Sequence, residues 1–183
     1  MLYAQKTDSK RSFNRGFTVI ELLIVIAVVA IMLSWAMPNL KGTLARNQLL
    51  GQANELASAM AFARSEAVTR GTQAGICASA NGTTCSGSNG DWDKFILVFV
   101  DQDRGSDFDN TEPLLKSLGS HEKVDQFAPA ASYFFTSSGF STTNADSSVQ
   151  VCHEKLAESD RCRTVTIAPT GIVTVRHSTK SAS

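Results

Sequence analysis

A chain of 183 residues, 43% hydrophobic and 19% charged, has the composition of one compact domain plus an accessory segment, which excludes disordered and fibrous classes. Its 17 basic and 17 acidic residues cancel, so overall charge gives no ground for nucleic-acid binding and such a claim has to rest on a local patch. The balance hides an asymmetry: Lys6, Lys10, Arg11 and Arg15 face only Asp8 within residues 1–16, a net +3 that leaves −3 for the remainder.

From Phe17 to Met37 the chain is apolar apart from Thr18, Glu21 and Ser34. As a helix this run extends about 31 Å, matching the ~30 Å hydrocarbon layer of a bilayer. The basic residues before it keep residues 1–16 in the cytoplasm and send the rest outward. A secretory signal, with Ser34 and Ala36 offering a small-x-small cleavage site, is one alternative, but its apolar core is usually only ~7–15 residues. A plain membrane anchor is another. Neither explains Glu21, because a lone acid inside a spanning helix costs about 2.5–3.5 kcal/mol.

The run Arg15-Gly16-Phe17-Thr18-Val19-Ile20-Glu21 resembles the prepilin peptidase motif of type IV pilins and type II secretion pseudopilins. The resemblance implies cleavage after Gly16 and methylation of the new N-terminus at Phe17. It also implies that Glu21 pairs with the terminal amine of a neighbouring Phe17 in a filament, which offsets the burial cost of an isolated acid. Prepilin peptidase, other pilin subunits and the inner membrane are then the expected partners. The head would lie in the periplasm, and later in an extracellular pilus or a periplasmic pseudopilus.

Pro38 closes the apolar run and would kink or end a helix. Beyond it Leu40, Leu44, Leu49, Leu50, Leu56, Met60 and Phe62 alternate with charged residues at helical spacing. One bent helix is therefore expected from Phe17 to about Arg70, stopped by Gly71, its second half packing under a sheet. Short β-rich runs follow at residues 72–77, 95–100, 113–118, 132–136, 148–152, 164–167 and 172–176, which suggests a two-sheet head over residues 71–183. The fold class is thus α+β, a long and partly transmembrane N-terminal helix on a β-rich head. Asn54 to Ala57, Ala63 to Ala67, Asp91-Trp92 before the strand ending at Asp101, and the Arg163-to-Gly171 segment resemble the GspH/FimT branch of minor pilins and pseudopilins. Trp92, Phe95, Phe99 and Phe127 read as core residues.

The four cysteines form two close pairs in polar, turn-rich surroundings, Cys77 with Cys85 and Cys152 with Cys162, as an oxidising compartment favours. Neither spacing suits zinc, and His153 has no second histidine at ligand spacing. Four cysteines allow three pairings, of which the two local disulfides are the favoured one. Within the resembled branch, paired cysteines point to a type IV pilus minor pilin rather than a secretion pseudopilin.

Arg161, Arg163, Arg176 and Lys180 lie in an acid-free C-terminal stretch, a local positive field that makes DNA a candidate partner. DNA-binding members of the branch carry Gly-Arg-x-Arg at the last turn, whereas here Ile172-Val173-Thr174 follow Gly171. Asp101, Asp103, Asp107, Asp109 and Glu112 follow calcium-loop spacing, but the glycine stands one place early and a strand precedes, so a polar hairpin turn is the expectation. No catalytic motif, metal set or cofactor site is evident: His121, His153 and His177 stand apart, and Ser138-Gly139 reads as a turn. The reading is a minor pilin acting in filament assembly or initiation, with a type II secretion pseudopilin or a DNA-binding tip pilin as alternatives.

Overall fold

A computed structural model describes residues 16–86, 91–105, 108, 111–119 and 124–178, without the side chains of 35–40 and 91. The leader cations Lys6, Lys10, Arg11 and Arg15, with His121, Lys180, Asp107 and Asp109, lie outside the described residues. The described elements are the helix α1 (Val19–Arg70) and the strands β1 (Gln73–Ser79), β2 (Phe95–Asp101), β3 (Leu114–Leu118), β4 (Val124–Phe127), β5 (Ser132–Phe135), β6 (Ser147–His153), β7 (Cys162–Ile167) and β8 (Val173–Ser178). The chain forms two compact units, residues 1–40 and 41–183, and α1 contributes to both.

Local chemistry sets both ends of the helix. Thr18 begins it: its Oγ1 accepts from the Glu21 amide at 3.3 Å and its carbonyl accepts from the Leu22 amide. Thr18-x-x-Glu21 therefore has the sequence of a capping box, and the acid sits where the helix dipole favours negative charge. At the other end Gly71 has φ 67°, the Thr72 amide bonds back to the Ala67 carbonyl, and the Gly71 amide to the Val68 carbonyl. This is a Schellman stop. The helical backbone continues through Pro38.

In the second unit the helix buries one stripe, Ala45, Leu49, Ala53, Leu56, Ala59, Met60, Ala63 and Ala67, at spacings of three and four. This corrects the expected face, since Leu44, Leu50 and Phe62 are exposed. Alanine does most of the work, because a small side chain lets the helix lie close on the strands while costing no rotamer entropy.

The strands form two antiparallel sheets, ordered β3-β2-β1-β5 and β4-β6-β7-β8. Ala74, Ile76 and Ala78 of β1, Ile96 and Val98 of β2, and Tyr133 and Phe135 of β5 enter the main core with the helix, and so do Val149, Val151, Val165 and Ile167 of the second sheet. The other face of β1 and β2 is covered too, with Cys77, Leu97, Phe99 and Phe134 packed by Cys85 and Phe108. Gly75 is required there: a Cβ would meet the Phe99 ring at 2.4 Å and the Phe134 ring at 2.8 Å.

Strand β4 has no counterpart among the expected strands. Its inward residues are Val124 and Gln126, and Gln126 donates to Gln52 of the helix at 3.0 Å, so half of the buried pattern is polar. Phe127, expected in the core, points outward and is 62% exposed. Trp92 and Phe99 are buried, and the Trp92 indole donates to the Ala130 carbonyl at 2.8 Å.

Both local disulfides are formed, Cys77–Cys85 and Cys152–Cys162. The second joins direct cross-strand neighbours on β6 and β7, with 4.2 Å between Cα atoms.

Tyr133 gives a test of this core. Burial, with Trp92 at 5.6 Å, pushes its hydroxyl from 10.0 up to about 12, the Ala130 backbone pulling slightly the other way. The unfolded chain loses this proton near pH 10 and the folded chain near 12, so the contribution is whole below pH 10 and lost as pH rises through 12. Tyrosinate absorbance should therefore rise together with loss of near-ultraviolet circular dichroism, and a separate titration near pH 10 without unfolding would contradict the burial. Removal of residues 1–16 would leave Tyr133 as the only tyrosine.

Candidate functional site

In the first unit every described apolar side chain of α1 is open. Exposure is 83% at Phe17, 76% at Val19 and 63% at Ile20, and no large apolar residue up to Leu33 falls below 44%. An isolated helix that is apolar all round has no soluble justification, so this surface calls for a lipid or protein environment. Among the described residues no helix is long and apolar enough to cross a membrane. The described side chains end at Ser34, and residues 19–34 give about 24 Å of helix. Gly16 and Phe17 precede the cap, and Glu21 occupies its third helical position with an exposed carboxylate.

The second unit holds a junction that sequence reasoning passed over. Arg64 leaves the helix and donates from Nε to the Gly139 carbonyl at 2.8 Å, with Nη2 facing the Thr170 carbonyl at 3.5 Å. Gly139 and Gly171 both adopt positive φ, 79° and 76°. A Cβ on Gly171 would stand 2.0 Å from the Gly139 oxygen and 2.8 Å from Arg64 Nε. One guanidinium thus ties the helix to the turn after β5 and the turn between β7 and β8. Beside it opens a cleft of about 640 Å³ whose walls include Arg64, Ser65, Val68, Thr69, Ser138 and Ile172. The spacing of Arg64 on an otherwise ordinary charged helix face gave no signal. The Ser138-Gly139 and Thr170-Gly171 turns were the only clue.

A second tie joins Arg46 of the helix to Asp160 in the β6–β7 turn, with His177 of β8 also 3.2 Å from the Asp160 carboxylate. The His177 hydrogen bond and then the Arg46 charge hold that carboxyl below its usual range. His153 is buried and faces Gln48 of the helix at 3.2 Å.

Of the C-terminal cations, Arg163 and Arg176 lie on neighbouring strands without sharing a face. Arg163 pairs across with His177 and Arg176 with Thr164, so the two arginines project from opposite faces of the sheet. Arg161 donates to the Glu154 carbonyl and Arg163 to the Cys162 carbonyl. Asp101, Asp103 and Glu112 do converge, with ligand atoms within 4.8 Å of one another. Their oxygens already accept from the Gly105 and Gln102 amides and the Gln73 side chain, and Arg104 adopts φ 59° in that turn. That bonding is that of a polar turn holding its own acids.

Residues 52–171 match the family model for type II transport protein GspH, and residues 11–37 match the prokaryotic N-terminal methylation motif. Among solved structures, the type IV minor pilin FimU of Pseudomonas aeruginosa is similar in fold. One crystal form has TM-score 0.56 and 20% identity over 72% of this chain and 90% of that one; another has 0.54 and 18% over 70% and 92%. The minor pseudopilin EpsH of the Vibrio cholerae type 2 secretion system gives 0.49 and 14% over 71% and 97%.

Gly171→Ala should therefore lower stability by at least about 2 kcal/mol, from backbone strain plus the clash with Gly139. Gly119→Ala, where a Cβ meets nothing within 4 Å, should change it little. Denaturant unfolding of the detergent-solubilised chain checks this, and equal midpoints for the two variants would contradict the junction.

Proposed function

The chain belongs to the GspH family of type II transport proteins, and we propose that it is a minor subunit of a type IV pilus that takes part in assembling or initiating the fibre. In this reading prepilin peptidase cuts after Gly16 and methylates Phe17. The helix then stays in the inner membrane with the head outside, until the subunit enters the filament beside other pilins.

The observation that carries the reading is the apolar surface around Phe17 to Leu33, exposed on all sides and interrupted by the single carboxylate of Glu21. Lipid tails satisfy that surface before assembly, and neighbouring helices satisfy it afterwards. The terminal amine of a neighbouring Phe17 supplies a partner for Glu21, a paired charge in a water-poor interior being tolerable where a single one is not. The paired cysteines suit a head outside the cytoplasm, and their placement resembles pilus minor pilins more than secretion pseudopilins. The family description supports a second reading, a type II secretion pseudopilin with the same processing and helix chemistry. DNA contact adds little to either, because Arg163 and Arg176 do not share a face.

Glu21→Ala should leave the amount of membrane-inserted protein unchanged and reduce its content in sheared pili by about tenfold or more, since it removes the buried partner charge. Recovery of wild-type amounts in the sheared fraction would contradict the role of Glu21. Absence of the unaltered chain from sheared pili, together with a secretion defect on its deletion, would favour the second reading.

A further inference from the structure

The cleft beside Arg64 is not used by the helix chemistry above. Arg64 spends Nε and one edge of Nη2 on two carbonyls, and Nη1 makes no hydrogen bond within the described residues. No acid lines the cleft, and Arg64 has no carboxylate partner among the described residues. The hydroxyls of Ser65, Thr69 and Ser138, all on its walls, are likewise without a hydrogen bond there. Val68 and Ile172, on its rim, are 51% and 55% exposed, and Phe140 beside Gly139 is 54% exposed. At about 640 Å³ the cleft falls in the ~300–1,000 Å³ range of ligand sites.

These features fit together. The carbonyls of Gly139 and Thr170 fix the guanidinium from one side, leaving its Nη1–Nη2 end to accept a carboxylate in the two-pronged manner that arginine favours. The hydroxyls can donate to the remaining lone pairs of such a group. A fixed arginine with the exposed aliphatic side chains of Val68 and Ile172 on the same walls, and an exposed Phe140 next in sequence to Gly139, offers both charge and apolar area to a protein partner. A nucleic-acid backbone is a poorer match: it needs several cations in a row, and among the described residues Arg64 is the only cation lining the cleft.

We propose that this cleft receives a segment of an adjacent pilin subunit, an aspartate or glutamate side chain pairing with Arg64 and flanking apolar residues covering Val68, Ile172 and Phe140. The proposal rests on the chain being a filament subunit, and it adds a contact made by the head.

A photo-crosslinking residue in place of Ile172, in the full chain assembled in cells, tests it, with a second at Ile24 on the N-terminal helix. Mass spectrometry of the Ile172 product should identify a peptide of another pilin subunit with Asp or Glu beside the crosslinked residue. Ala61→Glu, at an exposed position one turn before Arg64, offers the guanidinium a carboxylate from its own helix and should lower that yield about fivefold, whereas Ala61→Gln should leave it near its starting value. Arg64→Lys should lower it similarly. If that variant fails to accumulate, the Ala61 pair decides alone. Crosslinks from Ile24 without any from Ile172, a crosslinked segment without an acid, a nucleic-acid product, or equal yields for the two Ala61 variants would each overturn the site while leaving the subunit reading intact. Absence of crosslinks from both positions would overturn the subunit reading and the site with it.

Discussion

Between Val19 and Leu33 the helix exposes apolar side chains all round, whereas from Ala45 to Ala67 it buries one stripe under two sheets. That change along a single helix is the constraint on which the rest depends. The second half can be satisfied by its own head, since burying apolar area on the order of 25 cal/mol per Å² is the main favourable term in folding. The first half cannot, and has to borrow its surroundings from lipid or from other chains. A molecule built this way is incomplete as a monomer in water.

The head meets its half of the constraint with small side chains. Five of the buried helix residues are alanines, so the strands come close and the helix needs other means of keeping its register. Polar and ionic ties supply them. Gln52 with Gln126, Gln48 with His153, Arg46 with Asp160 and Arg64 with Gly139 all run from helix to strand or turn. Polar ties of this kind add little net stability, yet each forms in one alignment only, which is how they set register. The Arg64 tie depends on glycine at 171, since any Cβ there meets the Gly139 oxygen.

Much of this was legible in the sequence because it was written in strong local signals. The apolar run from Phe17, the Gly71 stop and most strand runs of alternating or continuous apolar residues are short-range patterns. What escaped was written in weak or non-local ones. The buried stripe of α1 is largely alanine, a weaker pattern than the larger Leu44, Leu50 and Phe62, which face outward. Strand β4 hides a glutamine instead of a second apolar residue, and the outward Phe127 misled in the opposite direction. Arg64 acquires its partners from residues 75 and 106 positions away, contacts that tertiary structure alone defines. The C-terminal cations looked like one cluster along the chain, and strand alternation sent Arg163 and Arg176 to opposite faces.

The central claim is that the apolar helix is kept on the mature protein while the basic leader is lost. Intact-mass measurement on protein extracted from membranes decides it. The account predicts a chain that begins at an N-methylated Phe17, with both disulfides closed. A chain that begins at Met37, cut after the apolar run, or one that still begins at Met1, would contradict it.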